Sequence, residues 1–487
     1  MSDFNPSSVE IVKAELISYD TTTRRDISSN YIYGFQINQS MDAAAYNGEL
    51  SVLDTSGILE GMPIRGEETL NLWLEGMDLN TVVKISAVII KVTDIKPRTN
   101  SSGATYKLHF MSKESFKAST KKVITSFINT PSEMARELFT ENYSKLKKFE
   151  IAFYKDPDDD SINLPFQSVN YPLIKEGITN TRDVPDRHFV IQPAINQTKV
   201  IIPRLSPSEA IFFVAARSYN ADAPSQTFRF FETLENYYFC TDEYFIKRSN
   251  NVPGRILELF YAPVVDLDAK NAGAQLNRIE DLHILSKGID TYTDIFSGAY
   301  TSEVVEIDFI RRRLDFSRFN YDNARYIDMS ATTRSLEDNP HTTEFREKTF
   351  TADNARRFMI FRNYTAPGDA ASNLLPDQHL PEIVHNRISY YHHLNNTTLM
   401  AVMKGRLDLR PGMIIDLDIK NLDSVSSSVN LNDSLSGRYL IQQTVHNMSE
   451  GTLNTSLKLA KFDWSGGTQA VLATTVDIPA PPSGGTA

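Results

Sequence analysis

Two distant stretches of this chain share one plan. LEGMPIRGEETLNLWL (Leu59–Leu74) and LDLRPGMIIDLDI (Leu407–Ile419) each place Gly-Met (Gly61-Met62, Gly412-Met413) within three residues of a Leu (Leu59, Leu409), and an alternating apolar strand follows. Their surroundings match as well. NGELSVL precedes the first and the hairpin ISAVIIKV to YKLHF follows it; TLMAVMKG precedes the second and YLIQQTVHNM to NTSLKLAKF follows. A loop, a strand and a long hairpin recurring in one order point to an internal duplication. Gly supplies backbone conformations closed to other residues where a strand turns at a barrel rim, and Met fills an irregular gap beneath such a turn. Gly61, Met62, Gly412 and Met413 are therefore expected at barrel rim turns.

The rest of the chain divides around these repeats. A length of 487 residues exceeds one ordinary core and calls for several domains. Up to residue 112 the chain reads as β-branched and aromatic strands separated by Gly, Pro, Asn and Ser turns, the pattern of a small antiparallel barrel. From 113 to 262 the pattern is mixed. TPSEMARELF carries Thr130 as helix cap with Pro131 and Glu133 behind it, and LSPSEAIFF repeats the device with Ser206, Pro207 and Glu209. The strands TFRFFETL and YYFCTDEYF follow, joined at Glu235-Asn236. Strands return over 263–321 and 395–465, forming the second barrel. Residues 322–394 are an insertion of loops and a helix, and 466–487 a Pro/Gly/Thr-rich flexible tail. The fold class is mainly β within α+β: two tube-like antiparallel β-barrel domains, an inserted α+β domain and a second, smaller insertion.

Composition excludes several functions. No apolar run approaches the ~18 residues needed to span a bilayer. The N-terminal MSDFNPSSVEIVKAEL has no basic region followed by an apolar one, so a cytoplasmic origin is expected. The single cysteine, Cys240, rules out an intrachain disulfide. A net charge of −11 opposes a surface built to neutralise DNA phosphates. The basic cluster Arg311, Arg312 and Arg313, with Arg318 and Arg325 nearby, is the exception and reads as an interface.

Catalytic and metal signatures are weak. The acidic run Asp156–Asp160 lacks the Gly and terminal Glu of a calcium loop and reads as a solvated turn. His379, His385, His392 and His393 lie close in sequence without the convergent pattern of a zinc site. GxSxG, Walker and GxGxxG motifs are all missing. No catalytic residue, cofactor or metal ligand is assigned.

The passages KLHFMSKESF to TPSEMARELF, IIPRLSPSEAIFFVAARSY to FRFFETLENYYF, and LRPGMIIDLDI to LSGRYLIQQTVHNM to TSLKLAKF, taken in order, resemble the baseplate central hub protein of contractile-tailed bacteriophages. This is the T-even type of hub, related to the hub segment of secretion-system spike proteins. The resemblance spans about 30 to 465 and implies a non-enzymatic homotrimer whose six barrels form a pseudo-six-fold ring. Such a ring adapts a hexameric tail tube to a trimeric central spike and leaves a channel for DNA ejection. It further implies a place in the virion tail baseplate, assembled in the host cytoplasm. The implied partners are the spike protein, tail tube or tube-initiator proteins, and also the tape measure and baseplate wedge proteins, with DNA only in transit. The alternative reading is a cell-wall-degrading enzyme at the tail tip.

Three copies carry a charge of three times −11. In IIDLDI the alternation sets Asp416 and Asp418 on the side opposite Ile415, Leu417 and Ile419, and LNLWLEG offers Glu75 at its end. These three acids are candidates for a negative lumen wall, or for a surface facing solvent or a basic neighbour.

Overall fold

Alternating apolar residues in the first hundred positions build a single ribbon of strands. In the computed structural model these are β1 (Val9–Ile17), β2 (Arg24–Asp26), β3 (Ile32–Ser40), β4 (Asn47–Asp54), β5 (Thr69–Gly76), β6 (Thr81–Pro97) and β7 (Ala104–Ser112), with the short helix α1 (Ile58–Gly61) before β5. They hydrogen-bond in the order β2-β1-β5-β6-β7-β4-β3, antiparallel throughout. One side of the ribbon closes on a core that includes Leu70, Leu72, Leu74, Ile85, Leu108 and Phe110. Full burial of each such side chain contributes about 1.5–3 kcal/mol, which sets the register, since a one-residue slip would turn the whole row to solvent. The structure describes residues 8–27, 31–55, 57–62, 64–76, 81–97, 103–143, 150–153, 188–223, 225–251, 256–261, 276–287, 293, 296–299, 301–309, 311–320, 344–345, 348–349, 356–362, 364–365, 375–376, 379–420 and 435–463. The run Asp156–Asp160, Arg325, most of the 322–394 insertion and the 466–487 tail lie outside them.

The mixed region then forms. It comprises α2 (Lys113–Ser119), β8 (Val123–Asn129), α3 (Pro131–Asn142), β9 (Glu150–Phe153), β10 (His188–Ile191), β11 (Thr198–Leu205), α4 (Pro207–Ala215), β12 (Arg229–Glu232), β13 (Asn236–Cys240) and α5 (Asp242–Asn251). A four-stranded sheet β12-β13-β10-β9 and the hairpin-like pair β11-β8 enclose an aromatic core in which Phe139 stacks on Phe189 and Tyr143. Both expected caps are present. At Ser206 the capping box is complete: the Glu209 backbone N–H donates to the Ser206 hydroxyl at 3.4 Å and the Glu209 carboxylate accepts from the Ser206 N–H at 2.7 Å. At Thr130 only the first half forms, because Glu133 turns to Arg136 at 2.7 Å. The strand expected through YYFCTDEYF stops at Cys240; buried Asp242 and Glu243 open α5, acids favoured at a helix start.

The second barrel differs from the first in one strand. β14 (Leu257–Tyr261) and β15 (Arg278–Lys287) come first. The chain then leaves to make β16 (Thr301–Asp308), β17 (Arg313–Asn320), β18 (Glu344–Phe345), β19 (Lys348–Thr349), β20 (Arg356–Phe361), β21 (Tyr364–Thr365), β22 (Leu375–Pro376) and α6 (Leu380–Leu394). It returns as β23 (Thr397–Lys404), β24 (Ile414–Ile419), β25 (Gly437–Ser449) and β26 (Thr452–Asp463). The ring of pairings β25-β24-β14-β15-β23-β26-β25 is closed. Five strands repeat the connectivity of the first barrel, with β15, β23, β24, β25 and β26 standing where β3, β4, β5, β6 and β7 stand. The sixth position is filled by β14, which pairs with both β24 and β15 in parallel, whereas β1 is antiparallel to β5. β14 thus falls within the stretch expected for the inserted domain, and β16 and β17, expected in the barrel, pair instead with each other and with β20 in a sheet of their own. No helix among the described residues is long and apolar enough to cross a membrane.

Candidate functional site

The two barrels are joined into one sheet. β3 and β25 run antiparallel from Gly34↔Ser449 to Ser40↔Gln443, so the first ribbon continues directly into the closed barrel. The tip of the β25–β26 hairpin reaches past this ladder to the far edge of the first ribbon. There the Val9 N–H donates to the Gly451 carbonyl at 3.3 Å and Ser8 bridges Thr452, while on the near side the Glu450 N–H donates to the Tyr33 carbonyl of β3 at 3.1 Å. The gap between β1 and β3 is therefore spanned by the partner barrel. Met448, Leu453 and Leu407, all from the second half of the chain, lie buried in the first barrel's core.

Polar side chains fasten the inserted domain to this unit. Glu232, fully buried on β12, accepts from Ser112 Oγ at 2.6 Å and Ser115 Oγ at 2.9 Å, and Tyr237 Oη lies 3.2 and 3.1 Å from the same hydroxyls. Gln39 on β3 accepts from the Leu234 N–H at 2.9 Å, and Arg410 pairs with Glu235 across from the second barrel. Arg387 on α6 donates to the Ala216 carbonyl at 2.9 Å, to Ala215 at 3.2 Å and to Gln226 at 2.8 and 3.0 Å. It thereby occupies the C-terminal end of α4, where unpaired carbonyls carry partial negative charge. Burial, with Arg229 and Arg217 nearby, lowers the Arg387 guanidinium to about 10. It lines a cleft of about 240 Å3 with Phe212, Phe228, Arg229 and Tyr391. None of these fasteners stood out in the sequence. The available signal was a charged residue inside an apolar run, as Glu232 is in FRFFETL.

The expected rim residues are placed unequally. Gly412 has φ 91°, and a Cβ there would lie 3.0 Å from the Phe245 ring, so the turn before β24 needs glycine for both conformation and space. Gly61 instead ends α1 with no left-handed backbone, so the reason offered for glycine at this position does not hold; Gly57 and Gly66 on either side take the positive φ. Met62 is buried in the first core and Met413 packs against the second.

The acids fall on the outer wall of the strands. Ile415, Leu417 and Ile419 enter the second barrel's core, and Asp416 and Asp418 point away from it. Asp416 lies opposite Glu258, and burial followed by the charges of Asp416 and Glu258 raises the Asp418 carboxyl above its usual range. Glu75 is half-buried opposite Glu10. At the position matching Asp418 the first barrel has Trp73, flanked by Lys13 at 5.3 Å and Lys84 at 5.0 Å from its ring. Arg311, Arg312 and Arg313 are exposed at the β16–β17 turn, where Arg313 reaches Asp315 at 2.9 Å.

Among the described side chains His379 and His385 have separate settings. His385 is buried with Nδ1 2.7 Å from Ser302 Oγ and its ring over Phe319, and burial holds it down to about 4. His379 stacks on Tyr219 at 3.9 Å. Among the described residues no group of three His, Cys, Asp or Glu is placed to hold a metal ion.

No protein-family profile and no curated protein matches the chain. Solved structures similar to it over most of its length include two tail proteins, one of them from a prophage, and a component of the type VI secretion system. A tail protein of Neisseria meningitidis MC58 is 10% identical, with 93% of this chain and 96% of that one covered and a TM-score of 0.49. The 43 kDa tail protein of prophage MuSo2 from Shewanella oneidensis is 7% identical, covering 92% and 97%, at 0.45. An Escherichia coli component of the type VI secretion system, described as similar to the T4 bacteriophage tail proteins gp27 and gp5, is 6% identical, covering 89% and 74%, at 0.38. Identities this low leave the chemistry of each surface to be read from this chain's own residues.

Proposed function

We propose that the chain is a structural hub of a phage-type tail, assembling as a homotrimeric ring in the baseplate. The observation that carries the reading is the repeat itself: five strands with one connectivity occur twice, and the two copies are fused edge to edge through β3 and β25. A rigid pair of similar barrels lets three chains present six similar surfaces, which is what a junction between a six-fold tube and a three-fold spike requires. Rigidity follows from the shared core and the bridged seam. On this reading the partners are the spike below and the tube or tube-initiator above, with tape measure and wedge proteins around them. DNA passes through the central channel, and the chain is not an enzyme.

Native mass measurement of the purified chain, alone and with its tail neighbours, tests the proposal. Three chains per particle and a ring in projection are expected. A chain that stays monomeric at every concentration and with every tail neighbour overturns it. A peptidoglycan-clearing assay separates the hub from a tail-tip hydrolase; clearing by the purified chain would favour the enzyme.

A further inference from the structure

The three-stranded sheet β17-β16-β20 has two unlike faces. One is spent internally: Ser302 bonds His385, Phe319 stacks on it, and Arg362 pairs with Glu306, Asp308 and Asp315. The register places Val305 between Phe316 and Met359, and Ile307 between Leu314 and Phe361, on the other face. There Leu314 is 54% exposed, Phe316 61%, Met359 71% and Phe361 62%. Phe309, 71% exposed, stacks on Phe361 at 5.2 Å. A contiguous apolar patch of this kind marks an interaction surface rather than ordinary surface scatter.

Its rim is basic. At one end buried Glu303 is gripped by Arg357 at 2.6 Å and Arg318 at 3.3 Å, one carboxylate between two guanidiniums. At the other end Arg311 and Arg312 are exposed. A net positive rim on a chain of charge −11 calls for an acidic counterpart, and the same chain supplies one. On the outer wall of the second barrel Glu258, Asp416 and Asp418 crowd together with Arg438 of β25 opposite Asp416, three acids to one base, and none of the three acids has an ion pair among the described residues. Asp416 Oδ1 is moreover buried without a hydrogen-bond partner. Repulsion among like charges in one place is relieved by cations from another molecule.

We propose that the outward β17-β16-β20 face of one copy docks on the acidic outer wall of the second barrel of its neighbour. The contact is head-to-tail, since it uses two different surfaces, and such contacts close into rings when the rotation allows. This rests on the ring reading above and identifies its contact. It assigns Asp416 and Asp418 to the boundary between copies rather than to a lumen wall.

A charge swap in the full-length chain tests it, read by sedimentation at physiological salt with circular dichroism as the fold control. The R311E/R312E variant changes exposed side chains at a turn and is expected to lower the sedimenting mass threefold, from trimer to monomer. The E258K/D418K variant changes exposed positions and is expected to do the same. Both pairs in one chain restore the trimer, whereas a mixture of the two single-side variants does not close one, because a ring of three leaves one like-charged contact. Phe316→Ser, at an exposed site, also yields folded monomers. If the wild type is a trimer and the single-side variants remain so, or if the swap fails to restore assembly, this contact is wrong and the ring reading stands. A wild type that is monomeric under all conditions overturns the ring reading as well.

Discussion

Gly34 and Met448 approach so closely that a Cβ on Gly34 would lie 2.9 Å from the Met448 carbonyl oxygen. The contact is backbone against backbone across the ladder that fuses the barrels, so no side-chain rearrangement relieves it. Gly34→Val should force β3 from β25 and lower stability by about 1–3 kcal/mol. Chemical denaturation of the variant measures the loss, and protease cleavage near the β25–β26 hairpin should rise with it.

Glu232 gathers Ser112, Ser115 and Tyr237 in a buried knot between the first barrel and the inserted domain. Glu232→Leu leaves the Ser112 and Ser115 hydroxyls without their carboxylate acceptor. The expected cost is about 3 kcal/mol, since unsatisfied buried polar groups each cost on the order of 1–3 kcal/mol. Ser112→Ala and Ser115→Ala should each cost less, because the carboxylate keeps its other donor.

His446 is buried, 3.1 Å from Thr455 Oγ1, and burial, assisted by the Arg410 charge, holds its imidazole at about 4 against an ordinary 6.5. Between these values the unfolded chain binds a proton that the native state refuses. Stability therefore falls as pH drops from about 6.5 to about 4, and these groups cause no further loss below that. His385 acts in the same direction. Each contributes on the order of 3 kcal/mol across the window. Denaturant midpoints measured from pH 7 to 4 should slope downward, and His446→Gln should flatten the slope.

Arg387 should matter more than its place in an insertion suggests. Arg387→Leu removes the donor from the carbonyls of Ala215, Ala216 and Gln226 at once. A loss of about 2–4 kcal/mol is expected, with hydrogen exchange accelerating first in the last turn of α4. Arg387→Lys should restore only part of the stability, because one ammonium cannot reproduce the guanidinium fork.

The sequence was most legible where a local rule decides the structure. Ser206, Pro207 and Glu209 specify a helix start within four residues, and the helix begins there. The repeated Gly-Met loop and hairpin named four strands of each barrel because strand alternation and order are written locally. Partner choice is not. TSEVVEID of β16 alternates as well as any barrel strand, yet it pairs with β20 more than fifty residues on, and nothing in its period distinguishes the two outcomes. The parallel pairing of β14 was hidden for the same reason. Gly61 shows a different limit: a matching dipeptide does not guarantee a matching backbone, since α1 occupies one loop and a Gly412 turn the other. The acids Asp416 and Asp418 were legible as a pair on one side of a strand, but their neighbour Glu258 comes from a stretch expected to belong to the inserted domain, with no strand expected there.

The hairpin that spans the first barrel's seam has a consequence for synthesis. Ser8 meets Thr452, so β1 waits for a segment made more than four hundred residues later. At about 5–20 residues per second that interval is on the order of half a minute to a minute and a half. Throughout it, β1 and β3 carry unpaired edges, an invitation to strand exchange between nascent chains on the same message. The first barrel is therefore an unfinished cylinder until the β25–β26 hairpin arrives to seal it.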